Sequence, residues 1–560
     1  MKTLLLLVVS AGILAASLAA GAGDAGPSAE SRIGWWRQAR FGMFIHWGPV
    51  SLTGKELSWS RANSNTNCPN NGETPIEVYD NLYKRFDPTN FDANQWVRIA
   101  RTAGMKYMVF TAKHCDGFLL WDSKVDSYNM GATPFHRDVC AELARAAHEQ
   151  NEPLGWYFSP MDWRDPDCRS TNNARFVKHS QAELRELLSH YGKIAVVWFD
   201  SDGRPALWDP ANTYAIVHEL QPQSLVDNRL EMETYDQWAH QGTLLTNQDF
   251  YTPEQRIGAY DDTTPWETCM TLGTQWAWKP EDTLKTPGQV IHILAECAGG
   301  GGNLLLDVGP MPDGRIEPRQ ADILAKVGAW LAANGESIYG TRGGPWKPTA
   351  GIASVRRGNA IYVHILRNRG EAIELPDIAA HVESAAILGG GPVNGRQENG
   401  ALTLVVPMAQ RGEYDTVVKL SLTGSAMGLA GVELPATCKA TASNVYGKQD
   451  SQYGASFAFD GDEQSRWAAD DTIKQAWVAV DFLKPQTVNY VRICEAYPER
   501  VRQFELQSRE NGEWKTLLSG TALGASYEHS FAAVTSREFR LNILDATQGP
   551  TISEIEFSYK

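Results

Sequence analysis

The chain is poor in cysteine: Cys68, Cys115, Cys140, Cys168, Cys269, Cys297, Cys438 and Cys494 lie scattered over 560 residues. None stand in the short pairs that hold zinc, which excludes a zinc module. Positive charge is also in deficit. Lys and Arg number 51 against 66 Asp and Glu, and a formal net charge of −15 is unsuited to nucleic acid. There is one long apolar run, Leu4 to Leu14. It follows Lys2 and precedes A-A-S-L-A-A-G-A-G, so residues 1–22 read as a secretory signal rather than a membrane span. The protein is therefore expected to be exported, periplasmic or secreted, with no membrane span after signal removal. No cysteine near the cleavage region offers a lipid attachment point, and export permits disulfides among the eight. No solenoid-type repeat occurs. What the chain has in quantity is aromatic: 19 Trp and 19 Tyr suit a ligand with flat apolar faces and many hydroxyls, such as a sugar, although the same rings serve core packing.

Several apolar runs stop on a polar or aromatic residue. I-A-V-V-W-F-D ends on Asp200, F-G-M-F-I-H-W-G near His46, Y-M-V-F-T-A-K-H near His114, L-G-W-Y-F-S near Tyr157 and S-L-V-D-N-R near Arg229. A run apolar throughout is a strand buried on both faces, and a charge at its carboxyl end must be solvated or face a pocket. Between these strands lie amphipathic helical stretches such as 141–150 and 182–191. The alternation predicts an α/β barrel of the (β/α)8 type over residues 30–345, with its site at the C-terminal ends of the strands. From 346 to 424 short alternating segments separated by Gly-rich turns predict a small β-sandwich, and a second all-β unit is expected over 436–560.

Eight segments carry a more specific signal: G-M-F-I-H-W-G (42–48), K-H-C-D-G-F (113–118), Y-N-M with P-F-H-R-D (128–138), G-W-Y-F-S-P-M-D-W (155–163), V-W-F-D (197–200), Y-T-P-E-Q (251–255), W-E-T-C (266–269) and G-N-L-L-L-D-V-G-P (302–310). In order and spacing they resemble the α-L-fucosidases of glycoside hydrolase family 29, over residues 33–345. The resemblance implies an exo-acting, retaining α-L-fucosidase that needs no cofactor for catalysis and acts on fucosylated oligosaccharides or glycoconjugates. Alternatives are a retaining hydrolase of a similar sugar such as an α-galactoside, and a fucose-binding lectin on an inactive barrel.

Such an enzyme needs one carboxylate to attack the anomeric carbon and one carboxyl to protonate the departing oxygen. Asp200, on a short side chain at a rigid strand end, suits the nucleophile, the role the resemblance assigns to the Asp of V-W-F-D. The acid/base is expected at Glu254 in the T-P-E loop, with Glu267 of W-E-T-C as the alternative. By analogy His46, Glu56, Trp59, His114, Tyr157, Trp198 and Arg229 contact the sugar, and Trp276 is expected to wall its C6 methyl. The family usually has two adjacent histidines where this chain has His114 and Cys115, so affinity or linkage preference is expected to differ. A metal site of His46, His114, Cys115 and Asp116 lacks a zinc-enzyme spacing.

The C-terminal unit resembles a discoidin-type β-sandwich, related to family 32 carbohydrate-binding modules, in A-S-N-V-Y-G, S-F-A-F-D-G-D-E-Q-S-R-W-A-A-D, W-V-A-V-D-F and I-S-E-I-E-F. The resemblance implies one structural Ca²⁺ on Asp460, Asp462, Ser465 and Glu554, whose oxygens are the hard ligands calcium prefers.

Overall fold

A computed structural model describes residues 29–62, 72–201, 203–232, 244–245, 247–349, 351–366, 371–435, 438–461 and 465–559. The expected signal segment 1–22, Cys68 and Asp462 lie outside the described residues. Among them, seven parallel strands build the first sheet: β1 (Phe41–Ile45), β2 (Met108–Lys113), β3 (Leu154–Phe158), β4 (Val196–Phe199), β5 (Leu225–Val226), β6 (Glu267–Thr271) and β7 (Asn303–Val308). Their order is β5-β4-β3-β2-β1-β7-β6. The gap between β5 and β6 is filled by residues 250–254, which bridge Asp227 to Phe250 on one side, and Tyr251 to Trp266 and Glu254 to Cys269 on the other, all in parallel sense. The result is a closed eight-position barrel with one degenerate stave.

Side-chain alternation sorts each strand between two apolar layers. On β4, Val196 and Trp198 point to the barrel axis with Phe44, Val109, Tyr157 and Leu305, while Val197 and Phe199 join the outer layer under the helices. Both layers are buried, which is why these strands read as unbroken apolar runs. The covering helices start where the local chemistry allows. Val139–Glu149 is capped by Asp138, whose side chain accepts from the Ala141 N–H, and Pro287–Gly300 opens on a Thr286/Gln289 capping box and stops at Gly301 with φ 98°. The first helix, Ala29–Ala39, closes the N-terminal end of the barrel by inserting Trp36 against Phe250, ring centroids 4.9 Å apart.

After the barrel the pattern changes to antiparallel sheet. β8 (Arg342–Gly343), β9 (Ile352–Arg357), β10 (Ala360–Ile365), β12 (Val382–Ile387) and β15 (Thr416–Leu422) form one sheet; β11 (Ala372–Pro376), β13 (Asn394–Glu398) and β14 (Ala401–Val405) form another. The two enclose Ile361, Val363, Leu375, Leu404 and Val418. Val355, Tyr362 and Val417 pack into the barrel's outer layer, and Arg356 pairs with Asp262 at 2.5 Å. The C-terminal antiparallel sheet runs from Lys439 to Ser558 around Trp467, Val478, Ile493, Phe504 and Leu541. No helix among the described residues is long and apolar enough to cross a membrane.

Candidate active site

Asp200 directly follows β4 at the C-terminal mouth of the barrel. Its Oδ2 accepts the Tyr157 hydroxyl at 2.8 Å, and its Oδ1 accepts from Arg229 Nη1 at 2.9 Å. The other terminal nitrogen of Arg229 lies 2.9 Å from Glu254 Oε2. One planar guanidinium therefore ties the two carboxylates together. The Arg229 side chain is 2% exposed, against 21% for Asp200 and 23% for Glu254. Burial opposes the arginine's charge, but Glu254 and Asp200 outweigh it and raise its pKa. Glu254 is moved up by burial and by the charge of Asp200, with Arg229 pulling the other way. The degenerate stave sets its position. Cys269 donates its N–H to the Pro253 carbonyl, Gln255 donates to the Cys269 carbonyl, and Thr252 Oγ1 accepts Arg229 Nε at 2.8 Å.

The histidines stand on the neighbouring strand ends. His46, after β1, shares a 2.7 Å hydrogen bond between its Nδ1 and Asp307 Oδ1 of β7, and burial, with His114 and Arg229 nearby, drives its pKa well down. His46 is thus neutral, and Nε2 is the nitrogen left for a ligand. His114, after β2, has its pKa lowered to about 4 by burial. Its Nδ1 is 2.6 Å from Ser58 Oγ, which already accepts the Asp116 N–H at 2.9 Å. The buried Ser58 hydroxyl can donate to Nδ1 or accept from it, so in either tautomer His114 Nε2 is the nitrogen left for a ligand. Tyr157 stacks between His114 (5.4 Å, 10°) and Trp198 (5.6 Å, 18°), and Trp276 lies 4.7 Å from His46. His46, His114, Tyr157, Trp276, Arg229, Asp200 and Glu254 are thereby gathered at one mouth.

Four expected residues have more specific placements. Glu267 opens β6, at the opposite end of the barrel from Asp200. It is fully buried and accepts from Trp36 Nε1 at 3.2 Å, from Tyr107 and from Trp198 Nε1 at 3.3 Å. It is therefore remote from any leaving group above Asp200. Trp198 is 1% exposed, its N–H is taken by Glu267, and its ring carries the Arg229 guanidinium at 4.4 Å. Glu56 spends its oxygens on the N–H groups of Leu57, Trp276 and Ala277, so it shapes the loop that presents Trp276. Trp59 is 43% exposed and meets Trp163 edge-on at 5.2 Å, on the rim.

The four residues weighed as a metal site face four different partners: His46 meets Asp307, His114 meets Ser58, Asp116 accepts from Tyr79, and Cys115 Sγ lies 3.5 Å from Ser159 Oγ. Among the described residues the one three-ligand convergence is Asp126, His179 and Glu183, and there Lys113 already pairs with Glu183 at 2.6 Å. Cys115 is 1% exposed and packs in the outer core, where its Sγ meets Ser159 Oγ, whose hydroxyl in turn donates to the Asp200 carbonyl. Asp307, Ser58 and Thr252 were not singled out from sequence. Asp307 lies within G-N-L-L-L-D-V-G-P and could have been read as another strand ending on a carboxylate; Ser58 and Thr252 carry no such signal.

The Alpha-L-fucosidase family model matches residues 25–336, more than half of the chain, and the F5/8 type C domain matches 439–557. The alpha-L-fucosidase of Branchiostoma floridae is 30% identical over 364 residues, 59% of this chain and 78% of that protein. Human plasma alpha-L-fucosidase is 31% identical over 330 residues, 55% of this chain and 69% of its own. Among solved structures, alpha-L-fucosidase isoenzyme 1 from Paenibacillus thiaminolyticus superposes with a TM-score of 0.62 at 33% identity, covering 70% of this chain and 99% of its own. A GH29 alpha-L-fucosidase from Bacteroides thetaiotaomicron, described as a trapped covalent intermediate with 2-fluoro-fucosyl fluoride, superposes at 0.63 with 25% identity, covering 73% and 100%. The chain belongs to the alpha-L-fucosidase family of glycoside hydrolases and carries an F5/8 type C, discoidin-like domain behind the catalytic barrel.

Proposed function

We propose that the protein is an exo-acting, retaining α-L-fucosidase that removes L-fucose from fucosylated oligosaccharides or glycoconjugates by double displacement, with Asp200 as nucleophile and Glu254 as acid/base. The observation that carries this reading is the single Arg229 guanidinium bonded to both carboxylates at 2.9 Å. Retaining glycosidases keep their two carboxyls only about 5–5.5 Å apart, and a shared guanidinium favours that closeness. The covalent intermediate trapped in the Bacteroides relative supports the same course.

Asp200 attacks the anomeric carbon, oriented by Tyr157 and Arg229. Glu254 gives its proton to the glycosidic oxygen; its raised pKa keeps the acid form available for that step. Once the leaving group departs, Glu254 has become the base that activates water, and fucose is released with its original configuration. Neutral His46 and His114 offer one acceptor or donor nitrogen each to ring hydroxyls without adding charge at the mouth. Trp276 suits the C6 methyl because its ring, packed against the rings of Phe44 and His46, is a broad apolar face. Proton NMR of fucose released from an aryl α-L-fucoside checks the stereochemistry. The α anomer is expected first; early β-L-fucose would sink the double-displacement course.

Two further proposals follow from the ends of the chain. Residues 1–22 direct export, expected to show as a mature N-terminus beyond residue 22. In the discoidin-like domain, Asp460, Asp462, Ser465 and Glu554 hold a structural Ca²⁺. Ser465 Oγ lies 2.7 Å from Asp460 Oδ2, and Glu554 is buried within the strand Thr551–Ser558; each offers the hard oxygen that calcium prefers. Chelation is expected to lower the domain's melting temperature by roughly 5 °C or more, and added Ca²⁺ to restore it. A melting curve indifferent to both removes the calcium proposal.

A further inference from the structure

A fully buried carboxylate at the opposite end of the barrel from the chemistry calls for a physical reason. Glu267 is 0% exposed, and among the described residues no Lys, Arg or His pairs with it. Its acceptors are met by three neutral donors: the Trp36 and Trp198 indole N–H groups and the Tyr107 hydroxyl. Burial pushes the Glu267 carboxyl up to about 7 even though the three donors oppose the shift, and an apolar side chain of similar volume would ordinarily serve packing as well or better. What an apolar side chain cannot do is set the rotation of an indole through its N–H.

The Trp198 ring so fixed is the surface on which Arg229 rests, 4.4 Å from ring to guanidinium carbon. Arg229 in turn holds Asp200 and Glu254. We propose that Glu267 is a positioning residue of the reaction: it orients Trp198, and Trp198 fixes the plane in which Arg229 holds the nucleophile and the acid/base. The inference rests on the assignment of Asp200 and Glu254 made above. Glu267 does not touch substrate; it acts through two other side chains.

The test uses the purified full-length enzyme on an aryl α-L-fucoside, with Trp198→Phe, Glu267→Gln and Glu267→Leu. Trp198→Phe keeps a ring beneath Arg229 but loses the N–H. It is expected to lower kcat about tenfold with KM changed less than about twofold, given that misplacement of about 1 Å can cost 10²-fold. Glu267→Leu is expected to match it, and Glu267→Gln, which keeps one acceptor, to lie between these variants and the wild type. A purely structural role would not move the pH profile, and this one should. The charged or titratable groups facing Glu254 are Arg229, Asp200 and Cys269, and Arg229 alone pulls its pKa down. Loosening Arg229 therefore raises that pKa, and the basic limb of kcat/KM shifts to higher pH.

The inference is overturned if folded variants keep the wild-type kcat and basic limb, or if Trp198→Phe raises KM alone, which would make Trp198 a plain sugar contact. Should Glu267→Leu fail to fold, the near-isosteric Glu267→Gln decides by its basic limb: displaced upward supports the proposal, unmoved ends it. An inactive wild type would instead remove the underlying reading, so the two failures are distinguishable.

Discussion

Asp200→Ala is expected to cut kcat on an aryl α-L-fucoside by on the order of 10³-fold or more, the scale on which loss of a nucleophile acts. The expectation rests on position rather than on residue type. Asp200 follows β4 at the barrel mouth, and each of its oxygens is met by one donor, Tyr157 on one side and Arg229 on the other. Two donors aimed at one carboxylate limit its rotation, which an attacking group needs. Alanine also leaves a space beneath the sugar. Azide entering that space attacks from the face opposite the leaving group, so the variant is expected to yield β-L-fucosyl azide. Near wild-type turnover in Asp200→Ala would end the assignment, whatever the fold resembles.

Glu254→Ala carries the second large effect, with a different signature. General acid catalysis contributes about 10²–10⁴-fold, and the loss falls mainly on substrates with poor leaving groups, which need the proton. An activated aryl fucoside should still form the glycosyl-enzyme, and its hydrolysis then stalls for want of a base. Azide needs no base. It is expected to restore turnover and to give α-L-fucosyl azide, because it enters from the side that Glu254 occupied. Glu267→Ala separates the two glutamates: buried at the other end of the barrel among Trp36, Tyr107 and Trp198, it has no route to the leaving oxygen, so azide should do nothing for it. Rescue of Glu267→Ala without rescue of Glu254→Ala would reverse the assignment.

The strands that end on Asp200, His46 and His114 were legible because burial on both faces enforces an unbroken apolar run, and a polar residue closing such a run is visible without coordinates. The helical stretches 141–150 and 182–191 were legible from the spacing of their apolar residues; they fall in helices 139–149 and 174–190, the second of which starts eight residues before the stretch read from sequence. The eighth barrel position was not. Residues 250–254 contribute single bridges rather than a run, and Y-T-P-E-Q has neither the alternation nor the apolar length of a strand. Its proline gives no N–H to a ladder, which is part of why the stave is degenerate.

The separation of Glu254 from Glu267 shows the same boundary. Thirteen positions apart in one region, both are glutamates beside an aromatic or proline residue; the T-P-E loop favoured Glu254, but the burial of Glu267 at the other end of the barrel shows only in the packing. Likewise His46, Glu56, Trp198 and Trp59 all read as polar or aromatic groups near a site. Only packing shows that Trp198 lies beneath the site, Glu56 faces backbone N–H groups and Trp59 stands on the rim.

By itself the sequence determined the chemistry on offer: a barrel of buried strands closing on carboxylates and histidines, in an order that marks the alpha-L-fucosidase family, with β-sheet domains behind it. The tertiary structure decided which carboxylate meets which partner. Arg229 joins Asp200 to Glu254 across segments 29 and 25 residues distant in the chain, and Trp198 hands Glu267 a purpose at the other end of the barrel. The physical reason is that burial and periodicity are properties of a segment and leave their mark on it, whereas a hydrogen bond between strand ends depends on how the barrel closes, a property of the whole sheet.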